Sequence, residues 1–102
     1  MNPESRLTTK IAAALTTRGA WVLKYHVSPY SRAGTPDLLV CYRGRFLALE
    51  VKVPGGKPTR LQSQTLAIIR SAGGVAEVVT TVEEALNVCR RPDSFPEGGR
   101  GL

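Results

Sequence analysis

Asp37, Glu50 and Lys52 carry the chemistry available to this chain. Two carboxylates held side by side bind a hard divalent cation such as Mg²⁺, and an ammonium beside them can hold a water or a phosphate oxygen. Together they are what metal-assisted hydrolysis of a phosphodiester requires. Whether the three meet depends on the backbone between them.

Spacing brings them together. Residues 37–42 and 45–53 are apolar, branched-rich runs, and Arg43-Gly44 between them has the length and the glycine of a tight hairpin turn. If Tyr42 pairs with Arg45, the partner numbers share one total and Asp37 falls opposite Glu50. A four-residue loop closed by Cys41 and Phe46 keeps that register; a three-residue loop breaks it. Directly opposite residues share a face, with Cβ atoms roughly 4.5–5.5 Å apart. Lys52, two residues past Glu50, lies on that same face. Leu47, Leu49, Val51 and Val53 take the other face and supply core. Two carboxylates so close repel unless a cation lies between them or one keeps its proton. The bland alternative is an acid that ends a loop and a Glu–Lys pair on a solvated edge strand.

The elements around the hairpin follow from periodicity and caps. Asn2-Pro3-Glu4 opens a helix with Asn2 as N-cap, and Leu7, Ile11, Ala14 and Leu15 form a stripe that ends near Gly19. Glu4 lies at the leading end of that stripe, on its core side. Residues 21–27 alternate as a first strand, and 28–36 form a loop with two prolines and a glycine. After the hairpin, Pro54-Gly55-Gly56-Lys57-Pro58 breaks the sheet. Residues 59–72 form a helix closed by Gly73-Gly74, and 75–79 a short buried strand. Thr81-Val82-Glu83-Glu84 has capping-box spacing and opens a last helix through about Cys89. The order α-β-β-β-α-β-α implies a small α/β fold, a mixed sheet flanked by helices, with a parallel crossover at its end. One domain over 1–90 and a flexible C-terminal tail over 91–102 are expected.

Composition bounds the partners. A chain of 102 residues holds one modest core, and its formal net charge of +6, largely arginine, favours a planar, phosphate-rich partner, with nucleic acid the natural candidate. No apolar run is long enough to span a membrane, and Met1-Asn2-Pro3-Glu4 lacks the basic start of a signal peptide. A cytoplasmic protein is expected, with Cys41 and Cys89 as reduced, packed thiols.

Pro36-Asp37 followed by Glu50-Val51-Lys52 in this frame resembles the PD-(D/E)xK nuclease superfamily, whose fold is restriction-endonuclease-like. Within it, the chain is similar to the VRR-Nuc group, the virus-type replication-repair nucleases, of stand-alone phage or bacterial type. Glu4, Gly34-Thr35-Pro36-Asp37, residues 46–52, Pro54-Gly55-Gly56-Lys57 with Thr59-Arg60-Leu61-Gln62, and Ala72-Gly73-Gly74-Val75-Ala76 carry the resemblance. It covers about residues 4–88, and Thr35 stands where serine is common. The resemblance implies Asp37 and Glu50 as ligands of Mg²⁺, with Mn²⁺ able to substitute, and the Val51 carbonyl as a further ligand. It implies Glu4 as a direct or outer ligand, Lys52 beside the attacking water or the phosphate, and Gln62 orienting substrate or Lys52. The activity implied is structure-selective DNA endonuclease, at four-way (Holliday) junctions as a homodimer, with a role in DNA repair. Flap or nicking activity on other branched or single-stranded DNA, and a non-catalytic DNA-binding module, are the alternatives.

Several residues have plainer roles open to them. Thr59-x-x-Gln62 is also capping-box spacing, and Glu4 also suits the positive end of its own helix. His26 has no spaced partner and reads as a packed or loop histidine. Trp21, Tyr25 and Tyr30 read as core and rim. Lys24, Arg32, Lys57 and Arg60 flank the presumed site as candidate phosphate contacts. Arg43 and Arg45, at the far end of the hairpin, are placed for distal DNA or subunit contacts.

Overall fold

The first helix, α1 (Pro3–Thr17), starts where the cap residues put it. Ser5 N–H donates to Asn2 Oδ1 at 2.7 Å, and Pro3 sits in the first turn, where its missing N–H is no loss. The computed structural model of the chain describes residues 1–26 and 28–92. Strands β1 (Trp21–Lys24), β2 (Leu38–Tyr42) and β3 (Arg45–Val51) follow α1, then α2 (Arg60–Ser71), β4 (Val75–Val79) and α3 (Val82–Arg90). The sheet order is β1-β2-β3-β4. The first three strands are antiparallel, and β4 returns through α2 to lie parallel to β3.

The hairpin has the expected two-residue loop. Arg43 (φ 52°) and Gly44 (φ 77°) both take positive φ, the mirror-image turn whose twist matches the flanking strands. Tyr42 pairs with Arg45, and the ladder runs to Leu38 opposite Leu49.

That register sorts the side chains into two layers. Leu38, Val40, Leu47, Leu49 and Val51 bury against Ile11 and Leu15 of α1 and Ala85, Leu86, Val88 and Cys89 of α3. On the opposite face, Ala48 and Ala76 pack with Leu66 of α2, flanked by Leu39, Ile69 and Val78. The first layer is the main core; the second is thin. α2 covers β3 and β4 and leaves much of β1 and β2 open on its face.

The structure departs from several expectations, the first two because of this uneven cover. Cys41 is exposed rather than packed, and Trp21 is 61% exposed, because both point to the α2 face where no helix reaches; only Cys89 is buried. Tyr30 is likewise fully on the surface. The first strand ends at Lys24 rather than at residue 27, and Val27 lies outside the described residues. In α3, Thr81 Oγ1 accepts from Glu84 N–H at 3.0 Å, but the Glu84 carboxylate reaches Thr80 N–H and Oγ1 instead of closing the box on Thr81. The tail expected over 91–102 lies, from residue 93 onward, outside the described residues. Among the described residues, no helix is long and apolar enough to cross a membrane.

Candidate active site

Asp37 stands one residue before β2, where the ladder continues in altered form. Its carbonyl accepts Tyr25 N–H from the β1 side at 2.9 Å, and its carboxylate Oδ2 accepts Val51 N–H from the β3 side at 2.8 Å. Asp37 therefore faces Glu50 as the rung after Leu38–Leu49. Because its main chain bonds toward β1, this rung lacks main-chain bonds between the pair, the arrangement in which opposite side chains approach most closely. Lys52 follows, its N–H donating to Val79 O at 3.0 Å. Both carboxylates and the ammonium thus lie at one end of the sheet, on the α2 face.

Glu50 is the anomaly of the fold. It is 1% exposed, and neither carboxylate oxygen has a hydrogen-bond partner among the described residues. Lys52 Nζ stands 3.5 Å from Oε2, its side chain 14% exposed. Burial pushes the Glu50 pKa upward first, the Asp37 carboxylate raises it further, and Lys52 offsets only part, leaving it at about 8. A buried acid with unsatisfied oxygens costs folding energy.

The donors present suit a hard cation. Glu50 offers two oxygens that accept no hydrogen bond among the described residues, and Asp37 has one oxygen not engaged by Val51. In an extended strand a residue's N–H and C=O leave on the same side, so the Val51 carbonyl faces the same edge as its N–H, just past the end of β2. Among the described residues, no three His, Cys, Asp or Glu side chains gather into a ready cage. Mg²⁺ does not need one, since it keeps several waters and is commonly held through one or two carboxylates.

Other predicted residues fall into two groups. Glu4 and Lys24 are brought to Asp37: all three line a cleft of about 140 Å³ with Tyr25 and His26. Lys24 Nζ also donates to Thr9 Oγ1 at 3.0 Å. Gln62 closes a capping box, its Oε1 accepting Thr59 N–H at 2.8 Å while its own N–H donates to Thr59 Oγ1 at 3.1 Å. Its carbonyl oxygen is thereby committed to α2. Lys57 and Arg60 are exposed around the start of α2. Arg32 is exposed in the loop, its main-chain N–H donating to Tyr25 Oη at 3.0 Å. His26 joins the cleft although it has no spaced partner in the sequence. The available signal was its position two residues past β1, beside the strand end that carries Asp37.

No protein-family model matches the chain, and no curated protein matches it. Its structure is similar to a solved structure described as "VRR_NUC domain". The two share 28% sequence identity with a TM-score of 0.72, over 86% of this chain and 95% of that one.

Proposed function

We propose that this chain, folded as a VRR-Nuc nuclease domain, is a Mg²⁺-dependent endonuclease that cuts branched DNA, four-way junctions foremost, as a homodimer. One observation supports the metal dependence above all others: a fully buried Glu50 whose two oxygens have no hydrogen-bond partner among the described residues, set beside Asp37. Asp37, Glu50 and the Val51 carbonyl would hold the ion, with Glu4 at the outer edge. When bound, such an ion supplies acidification of a water and neutralisation of charge on the leaving oxygen.

The chain's own groups do the positioning. The Asp37–Val51 hydrogen bond ties the β2 start to β3 and keeps the two carboxylates at one spacing. Lys52, 3.5 Å from Glu50, would offer its positive charge to a phosphate oxygen or an attacking water. Lys24, at the cleft beside Asp37, adds a second cation on the side of α1. Among the described residues there is one such acid pair, so two cuts in a symmetric junction require two copies about a two-fold axis.

Labelled junction, flap and linear DNA incubated with Mg²⁺, Mn²⁺ or EDTA test the reading. Junction cleavage with either metal and none in EDTA is expected, and Asp37→Ala should abolish it. Cleavage that persists in EDTA or in Asp37→Ala would overturn the assignment. Lys52→Ala should slow cleavage by about 10²–10⁴-fold while junction binding persists; unchanged cleavage would remove Lys52 from the chemistry.

A further inference from the structure

Five arginines that take no part in the acid pair surround one cleft at the other end of the sheet. Arg18 from the end of α1, Arg43 and Arg45 from the hairpin, and Arg90 and Arg91 from the end of α3 line a cavity of about 530 Å³ together with Tyr42. Among the described residues, no carboxylate lines it.

Helix capping explains part of this cluster. Helix C-termini carry unpaired carbonyls and partial negative charge, which attract cations. Arg18 donates to Ala14 O at 3.2 Å, and Arg45 donates to the carbonyls of Cys89 and Arg91. Those bonds use one or two of the five N–H groups on each guanidinium. Arg91 meets Glu77 at 2.9 Å and Arg90 meets Glu83 at 3.9 Å, both solvated pairs that hold little energy. Arg18, Arg43 and Arg45 have no carboxylate partner among the described residues. The Arg43 guanidinium lies 5.2 Å over the Tyr42 ring, which orients it without neutralising it. Two helix ends do not need five arginines. Crowded like charges repel, and a concave basic surface focuses the field on a polyanion.

Placement identifies which polyanion segment fits. Tyr42 and Arg45 point to the α1 and α3 face, whereas Asp37 and Glu50 lie on the α2 face. Arg45 and Glu50 are five residues apart on one strand, about 17 Å at a strand's rise. A straight duplex lying on the acid pair does not enter this cleft. A second arm or a displaced strand passing round the sheet does.

We infer that the arginine cleft is a second nucleic-acid subsite, taking the phosphodiester backbone of a DNA arm other than the one held at the acid pair. The identity of the polyanion rests on the nuclease reading. The cleft is too large for one phosphate, and guanidinium forks suit successive backbone phosphates. With guanidiniums as its charged groups, it supplies affinity and positioning without reading bases.

Fluorescence anisotropy in EDTA on the full chain tests this, because nothing is cut. The variant Arg18→Gln/Arg43→Gln/Arg90→Gln leaves the Arg45 caps in place. On a four-way junction with arms of about 20 base pairs it should lose more than about 10-fold in affinity near 100 mM salt, with a salt slope shallower by about 3. Lysine at the same three positions should restore most of that loss. A straight duplex of about 10 base pairs, which has no second arm to pass round the sheet, should change by less than about 2-fold. Equal losses on both DNAs, or no loss on the junction, would overturn the subsite. If the triple variant does not fold, Arg43→Gln in the exposed turn carries the test, with an expected slope change of about 1. A chain that binds junctions through this cleft yet cuts nothing would sink the nuclease reading and leave the subsite standing.

Discussion

Glu50 sets the pH behaviour of the metal-free protein. Its carboxyl ionises near pH 4.5 when unfolded and is pushed up to about 8 when folded, chiefly by burial and then by Asp37. The folded state therefore binds the extra proton between those values. The stability from this proton is complete below about pH 4.5 and is lost as pH rises toward 8. With each pKa unit worth about 1.4 kcal/mol, ionised Glu50 is a large charge against a small domain. Glu50→Gln keeps the shape and removes the charge. In EDTA at pH 8 it should raise the melting temperature by at least about 5 °C, with little change at pH 5. If the carboxylate pair holds the ion as proposed, Mg²⁺ should stabilise the parent chain and not the variant. Melting curves over pH, with and without Mg²⁺, read all three outcomes; an unchanged melting temperature at pH 8 would show that Glu50 is not the strained group.

At the scale of elements, the acid pair depends on how the loop before β2 seats on α2. Gly34 has φ +82°, and a Cβ there would meet Leu61 Cγ at 2.9 Å, Leu61 O at 3.0 Å and Thr65 Oγ1 at 3.0 Å. Gly34→Ala should therefore cost about 1–3 kcal/mol in a denaturant melt and lift the segment that carries Asp37, lowering cleavage with it. Gly44 is the control: its φ is +77° but nothing lies within 4 Å, so alanine there meets backbone strain alone and should spare cleavage. Loss of activity at Gly44 equal to that at Gly34 would refute the loop-seating account. Thr59→Ala, which opens the α2 capping box, should cost about 1 kcal/mol.

The same elements show what could be read from residues alone. The facing of Asp37 and Glu50 was legible because an alternating run with a two-residue glycine turn admits few registers. The exposure of Cys41 and Trp21 was not, because strand alternation assigns a face but not the extent of the helix covering it. Nor did Thr59-x-x-Gln62 spacing decide between a cap and a substrate contact. The cap is formed, through two short local hydrogen bonds within one turn of chain. Glu84 shows the same limit: its spacing marks the helix start, yet its carboxylate selects Thr80.

For the whole molecule, charge decides where a second copy can dock. At net +6, two chains repel over most of their surface, so a homodimer must meet where charge is absent and apolar area is large. The α2 face of β1, β2 and β3 meets both conditions. Trp21 pairs with Cys41 and Cys41 with Phe46, so the three form one transverse row, and Leu23 lies in the next row. Trp21, Leu23 and Phe46 are 61%, 45% and 47% exposed. This patch runs along the same face as Asp37 and Glu50, so copies joined there would hold their two sites in a fixed relation. Light scattering should give about twice the 11.0 kDa chain mass, and Trp21→Lys/Phe46→Lys should give the single mass. Cys41, in the middle of the row, reports the same event chemically. Its thiol should be shielded from an aqueous disulfide reagent at high protein concentration and react faster on dilution or in the lysine variant, while buried Cys89 stays slow throughout. Cys41 reactivity independent of concentration, with a single-chain mass, would rule out this face as the dimer contact.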